Sequence, residues 1–338
     1  MQSARLSGTT RFVSTTSKRT PRRSLQREPD SGDSLMQLGV IGLGNIGSAI
    51  AANLVADHHE VCVFDLAKSR CEPLLAAGAS AAAGPAEVAR RSEITLLSLP
   101  TPVAVDEVTT QWLAGAPPGR LLVDLSTNAP ASVRALGARL AAAGCGLVEA
   151  PLSGGAIGAK SRALVFMLGG DLEAVERARG VLTPLGRASF HVGPLGQGNV
   201  AKLVNSLVAF STTWASLEAL ALAAKAGLDL RTTLDVIRTA GAGNFFTNFA
   251  VEGINQRGRP SQFALALAAK DASLILDLAR EHGVPTPVAA QIGQVLVSAI
   301  GAGLGDRDWT DLALLIEQQA AVRLELPPLR EGSAPPRG

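Results

Sequence analysis

The stretch Leu38-Gly-Val-Ile-Gly-Leu-Gly-Asn-Ile-Gly-Ser-Ala-Ile-Ala-Ala-Asn-Leu54 decides the fold. Its first four residues form a short apolar run with β-branched members, the pattern of a buried strand. Three glycines follow, then an apolar stretch with helical spacing. A strand, a tight glycine turn and a helix are expected in that order. Gly42 permits the turn and Gly44 lets the backbone approach a pyrophosphate. Gly47, with Ala51 four residues on, lets helix and strand pack closely. The helix N-terminus offers free N–H groups and a favourable dipole to a phosphate. Gly42, Leu43, Gly44, Asn45, Ile46 and Gly47 are therefore the candidate dinucleotide-binding segment.

Reading outward, Val61-Cys-Val-Phe64 makes a second strand that ends at Asp65. An acid about twenty residues past the glycine turn suits the ribose hydroxyls of a dinucleotide and repels a 2′-phosphate. NAD is thus expected in preference to NADP, with Lys68 and Arg70 close enough to leave NADP possible. Apolar runs at 94–100, 120–126 and 146–152 keep the same rhythm, with Ala-rich helical stretches between them. Alternating strands and helices argue an α/β fold, a Rossmann-type doubly wound parallel sheet. Ligands of such sheets bind at the carboxyl ends of the strands, which makes Leu99-Pro100-Thr101 and Asp124-Leu125-Ser126-Thr127 cofactor-bordering loops. From about Asn199 helical spacing dominates, over 200–227, 230–240, 261–282, 286–302 and 310–323. The expected organisation is a disordered basic tail (1–35), a Rossmann domain (36–198), an all-α domain for substrate and dimerisation (199–327) and a flexible tail (328–338).

Composition narrows the class. The 338 residues are 47% hydrophobic and 18% charged, with 35 Gly and no Tyr, which suits close helix–sheet packing better than a β-sandwich. A net charge of +2 implies no field for nucleic acid. Seven Lys/Arg within 1–35 face only Glu28, Asp30 and Asp33, so that segment carries +4 and the remainder about −2. Its Ser/Thr/Arg-rich content predicts disorder, with Met36 as the working start; import into an organelle is the alternative. Cys62, Cys71 and Cys145 are odd in number and lack a CxxC, which fits reduced thiols and a cytoplasmic protein. The apolar run 217–224 is interrupted by Glu218 and Lys225 and is expected to be too short to span a bilayer. The four histidines show no metal spacing, so no metal is expected.

The segment Gly196-Gln-Gly-Asn-Val-Ala-Lys-Leu-Val-Asn205 places a lysine at the start of an otherwise apolar helix. Lys202, Asn205 and Ser206 stand at i, i+3 and i+4 and share a face. Helix dipole and partial burial both disfavour an ammonium there, as a general base requires. A lysine that snorkels to water would account for the charge but not for its polar neighbours. In Pro151-Leu-Ser-Gly-Gly-Ala156, Ser153, Gly154 and Gly155 can present successive N–H groups to a carboxylate, or simply form a flexible turn.

From about Met36 to Glu317 the chain resembles the β-hydroxyacid dehydrogenases of the 3-hydroxyisobutyrate dehydrogenase type. The resemblance rests on the glycine turn, on Glu149-Ala-Pro-Leu-Ser-Gly-Gly155, on Gly196-x-Gly198-xxx-Lys202-xx-Asn205, on Lys270-Asp271, and on Gly305 with Asp308-Trp309-Thr310. It implies Lys202 as acid/base, Asn205 orienting the reacting groups, and Ser153, Gly154 and Gly155 on the substrate carboxylate. It also implies Leu99, Pro100 and Thr127 on the cofactor, Lys270 against both ligands, and Ser206 beside the substrate where many members carry a second Asn. Ala104 stands where members often carry Asn, and Arg162 where they often carry a small residue. Facing the cleft, Arg162 would favour a larger or more anionic substrate; facing water, it would carry no such meaning. The expected activity is NAD(P)-dependent oxidation of a short β-hydroxyacid, or reduction of its semialdehyde, on a small carboxylate substrate with no membrane or nucleic-acid partner. Imine reductases, which lack this lysine, and a non-catalytic dinucleotide-binding scaffold are the rivals. The 200–227 helix carries Phe210, Trp214, Leu217, Leu220 and Leu222 around its circumference, so a homodimer or homotetramer is expected.

Overall fold

The structure, a computed structural model, describes residues 35–327; the expectations for 1–34 and 328–338 lie outside the described residues. The first strands are β1 (Gln37–Ile41), β2 (Glu60–Phe64), β3 (Ser80–Ala81), β4 (Ile94–Leu97), β5 (Leu121–Asp124) and β6 (Gly146–Glu149). They are joined by α1 (Asn45–Ala56), α2 (Glu72–Ala76), α3 (Pro85–Arg91), α4 (Pro102–Leu113) and α5 (Pro130–Ala142). All six strands are parallel in the order β3-β2-β1-β4-β5-β6, the doubly wound order. Ile41 pairs with Phe64 on one side and Leu97 on the other, so Gly42, Asp65 and Ser98 emerge together where the order reverses.

The strands read as unbroken apolar runs because helices cover both faces. Leu38 and Val40 join one core with Ile50 and Leu54 of α1, while Ile41 joins another with Val88, Trp112 and Leu140 of α3, α4 and α5. Gly39 faces that second layer, where a Cβ would lie 2.4 Å from Val88 Cγ1. The indole N–H of Trp112, fully buried, donates to Thr95 Oγ1 at 3.0 Å and so leaves no orphan donor in that layer.

Past β6 the structure adds what the sequence did not show. After β7 (Leu152–Ser153) and α6 (Gly155–Lys160) come β8 (Leu164–Gly169), α7 (Leu172–Leu182) and β9 (Gly186–Gly193). Strand β8 runs antiparallel to β6 and β7 and parallel to β9. The run Leu164-Val-Phe-Met-Leu168 is too short for periodicity to separate strand from helix, and β9 is apolar only in part.

The helical part consists of α8 (Gln197–Lys225), α9 (Leu230–Thr239), α10 (Leu265–Glu281), α11 (Pro287–Gly301) and α12 (Ala313–Ala320). Helix α10 starts later than expected because Ala264 is held in a bridge to Asp308. Residues Trp309–Leu312 form a 3-10 turn, and α12 stops where Ala321 takes a left-handed conformation. A π turn over Phe246–Ala250 and a 3-10 turn over Val251–Asn255 occupy a stretch for which no element was expected. By length and composition α8, 29 residues with an 18-residue window of mean hydropathy 1.4, could cross a bilayer, which corrects the expectation that the apolar run within it is too short. Here α8 is the spine of the helical core, with Trp214, Leu217 and Leu220 buried against α9, α10, α11 and α12.

Candidate active site

Two of the three turn glycines are demanded by the protein itself. Gly42 has φ +88°, and a Cβ there would lie 2.3 Å from Ser98 O; a Cβ on Gly47 would lie 1.9 Å from Gly42 O. Gly44 is different. It caps α1 without a side-chain acceptor, and a Cβ on it would meet nothing within 4 Å. The bare backbone and the free N–H groups behind it fit a pyrophosphate. Leu43 N–H donates to Asp65 Oδ2 (2.7 Å), Ala67 N–H to Oδ1 (2.8 Å), and the Arg70 guanidinium lies 3.4 Å from Oδ2. Asp65 therefore braces the glycine turn besides standing at the ribose position, a second role the sequence did not disclose. Asn45 donates its side-chain N–H to Ser261 O (2.7 Å), and Ile46 packs on the sheet core.

The loops after β4 and β5 are tied together by Leu99 N–H donating to Ser126 Oγ at 3.0 Å. Pro100 beside it is exposed. Thr127 is half-buried, and its carbonyl accepts from Lys270 Nζ at 2.8 Å, across 143 residues of chain. Lys270 also pairs with the buried Asp271 carboxylate at 3.0 Å. The late lysine thus sits on the loop after β5.

Lys202 lies in the second turn of α8, half-buried, and makes no hydrogen bond among the described residues. Burial holds its ammonium below the ordinary lysine range; the neighbouring Lys270 charge adds to that, and the Asp271 carboxylate opposes it. The positive end of α8, invoked from sequence, is met by a buried carboxylate. Glu149, fully buried at the end of β6, accepts from the backbone N–H of Gly196, of Gly198 (2.9 Å) and of Asn199 (3.0 Å), and from Asn199 Nδ2 (2.6 Å). Burial pushes the Glu149 carboxyl up, and these donors pull it back.

The shared polar face is met only in part. Ser206 is 2% exposed, whereas Asn205 is exposed and has no hydrogen-bond partner among the described residues. The i+3 and i+4 positions flank the direction of Lys202, and here one turns to the core and the other to solvent. Half-buried Ser153 ends β7, and Gly154 (φ +121°) and Gly155 (φ +59°) follow in conformations that favour glycine. This loop follows Glu149, whose carboxylate caps the start of α8, by four residues of chain. Arg162, whose orientation the sequence left open, is engaged at the end of α1. Its guanidinium clamps both oxygens of Asp57 (2.7 and 2.8 Å) and donates to Asn53 O (3.1 Å) at the C-terminal end of α1.

Sequence reading placed Asp124 in a cofactor-bordering loop and Glu149 at the head of the substrate motif, but gave neither a role of its own and did not single out Asn128 or Asn199; the four join in one buried network. Asn128 N–H donates to Asn199 Oδ1, and Asn128 Nδ2 donates to Asp124 Oδ2, each at 2.7 Å. Burial raises the Asp124 carboxyl to about 6, helped by the Glu149 charge and opposed by hydrogen bonds from Ser126 and Asn128. An acid at the end of each of two neighbouring apolar strands was the signal available.

A doubly wound sheet with a free glycine turn, and a lysine biased towards neutrality on the following helical unit, define an NAD(P)-dependent dehydrogenase. Residues 37–193 match the NAD-binding domain of 6-phosphogluconate dehydrogenase, and residues 196–316 match the NAD-binding domain of NADP-dependent 3-hydroxyisobutyrate dehydrogenase. The chain belongs to the β-hydroxyacid dehydrogenase family and is an oxidoreductase acting on a CH–OH group. A Pseudomonas aeruginosa NAD-dependent L-serine dehydrogenase is 32% identical over 84% of this chain and 98% of its own. A Drosophila melanogaster mitochondrial 3-hydroxyisobutyrate dehydrogenase is 29% identical over 88% of this chain and 94% of its own. The structure of a Mycobacterium tuberculosis 3-hydroxyisobutyrate dehydrogenase with L-serine superposes with a TM-score of 0.76 at 30% identity, covering 84% and 99% of the two chains. A Myxococcus stipitatus imine reductase, 23% identical with a TM-score of 0.58 over 84% and 100%, shares the fold.

Proposed function

We propose that the substrate is a short β-hydroxy carboxylate of the size of 3-hydroxyisobutyrate or L-serine, and that NAD is the preferred cofactor. The observation that carries this reading is Lys202, held towards its neutral form by burial beside the Lys270–Asp271 pair. A bound nicotinamide supplies the hydride acceptor or donor. Lys202 Nζ takes the hydroxyl proton in oxidation and returns it in reduction. The Ser153-Gly154-Gly155 loop receives the substrate carboxylate, Asn205 reaches over the open side to orient it, and Ser206 shapes the pocket floor. Leu99, Pro100 and Thr127 border the nicotinamide half, with Lys270 anchored between loop and substrate. The L-serine and 3-hydroxyisobutyrate in the relatives' names support a small hydroxyacid. The engagement of Arg162 by Asp57 removes the reason to look for a larger one.

Turnover of a panel of hydroxyacids and semialdehydes with both cofactors, followed by nicotinamide absorbance, tests the reading. Wild-type kcat/KM is expected to be higher with NAD than with NADP. Asp65→Asn is expected to narrow that ratio, because it removes the charge that repels a 2′-phosphate and leaves the Arg70 guanidinium without its acid. A wild type that prefers NADP overturns the role given to Asp65.

Assembly belongs to the same proposal. Val204, Val208 and Leu222 of α8 are exposed, the last by 72%, which supports burial of that face against a second copy in a homodimer or homotetramer. Light scattering at micromolar protein is expected to show the oligomer; a monomer mass refutes it. The three cysteines, all buried free thiols, support a reducing compartment, the cytoplasm.

A further inference from the structure

Helix α8 begins without any cap from its own neighbourhood. Its N-cap is Gly196, in the left-handed region at φ +99°, and no side chain nearby accepts from the first turn. A helix start leaves backbone N–H groups that need acceptors, and here they point into a fully buried place. The acceptor arrives from 47 to 50 residues upstream: both oxygens of Glu149 are used, by three backbone N–H groups and one amide N–H. Two glycines are shaped by that carboxylate. A Cβ on Gly169 would lie 2.2 Å from Glu149 Oε1, and a Cβ on Gly198 would lie 3.0 Å from Glu149 Cδ and 2.6 Å from Met167 O. Gly198 and Glu149 therefore belong to one device, although they sit in motifs far apart in the chain.

The device does not stop at the helix. Asn199 uses its amide N–H on Glu149 and its carbonyl oxygen on the backbone N–H of Asn128. Asn128 directly follows Thr127, whose carbonyl holds Lys270. A continuous buried chain thus runs from β6 through the first turn of α8 to the loop after β5. Lys202 is three residues beyond Asn199, less than one helical turn away. Whatever fixes the first turn of α8 in depth and rotation also fixes where the Lys202 amine stands relative to that loop.

We propose that Glu149 and Asn199 are positioning residues for the Lys202 acid–base group: Glu149 sets the register of α8, and Asn199 locks that register to the loop at Asn128. This rests on Lys202 being the proton-transfer group. Neither residue touches a reacting atom. Misplacing a proton-transfer group by about 1 Å costs up to about 10²-fold in rate, so the effect falls on kcat.

The test uses the full chain with Glu149→Gln, Glu149→Asp and Asn199→Ala. The measurements are kcat, KM, the pH profile of kcat, and NAD affinity by fluorescence, with melting checked for each variant. Glu149→Gln replaces one acceptor oxygen by a donor that faces N–H groups. Its kcat is expected to fall about 10- to 100-fold with NAD affinity kept. The limb of the pH profile that reports Lys202 is expected to move up towards the ordinary lysine value as water reaches the amine. Glu149→Asp, which keeps the carboxylate, is expected to recover part of the rate. If the Glu149 variants do not fold, Asn199→Ala decides: it leaves the three backbone N–H groups of the helix start on the carboxylate, removes the bridge to Asn128 together with the side-chain amide bond to Glu149, and is expected to show the same limb shift with a drop in kcat of about tenfold. A folded variant that melts earlier but keeps wild-type kcat and limb shows a merely structural cap and overturns the proposal. A loss confined to NAD affinity, with saturated kcat unchanged, overturns it as well. Normal turnover in Lys202→Met would instead end the lysine reading on which the proposal stands, whatever the Glu149 variants do.

Discussion

Lys202→Met is expected to lower kcat by about 10²–10⁴-fold, the usual worth of one general acid–base group, with NAD affinity nearly unchanged. Methionine keeps the length and the apolar stem of the lysine, so the half-buried slot on α8 stays filled. The glycine turn and Asp65 lie on the sheet, apart from α8, and their hydrogen bonds do not involve Lys202. In the wild type the hydroxyacid-oxidation rate is expected to rise as the amine loses its proton. Burial brings that limb below the ordinary lysine range. The Met variant should lose the limb altogether. Lys202→Arg should be nearly as damaging, because a guanidinium stays protonated. If Lys202 only snorkelled to water, Arg would be the milder change and both variants would turn over almost normally. Near-normal kcat in the Met variant ends the assignment.

Asp124→Asn is expected to stabilise the protein relative to wild type at about pH 8 and to do so much less at about pH 4. The carboxyl is raised from 3.8 to about 6, chiefly by burial. The folded state therefore holds this proton more tightly than the unfolded chain. The corresponding stability is present below 3.8 and is lost as pH rises through about 6, after which the ionised form is a standing cost. Two pH units correspond to on the order of 3 kcal/mol, which in a chain of this size moves Tm by roughly 5 °C. The amide of the variant can be received locally: Asn128 Oδ1 is buried with no partner among the described residues, and rotation of the Asn128 amide offers it to the new donor. Thermal melts of both proteins across this range check the point. A difference in Tm that does not change with pH shows that Asp124 is not titrating in the folded state. Because Asp124 and Glu149 face each other across β5 and β6, the relief should also ease the charge on Glu149.

What was legible in the sequence was local. Leu38–Leu54 spells strand, turn and helix by period and glycine spacing, and each signal lies within a few residues of the structure that it makes. The same holds for Asp65 after its apolar run, for the succession of buried strands, and for a lone lysine opening a long apolar helix. Strands β7, β8 and β9 were not legible, because short apolar segments become strands only when a neighbour offers its edge, as β6 does to β8. Arg162 was ambiguous for a related reason: nothing near it in sequence names Asp57, 105 residues away, as its partner.

The sequence by itself determined the doubly wound sheet, the dinucleotide turn and the succession of helices after Asn199, and it singled out Lys202, the lysine proposed as the acid–base group. These follow from side-chain period and backbone freedom, which act over one or two turns of chain. Only the tertiary structure decided how the lysine is held and tuned. Burial lowers its proton affinity, Ser206 rather than Asn205 turns inward, and a glutamate from β6 caps the helix that carries it. Burial and long-range capping depend on which segments meet in space, and that is fixed by packing across dozens of residues rather than by any pattern along them.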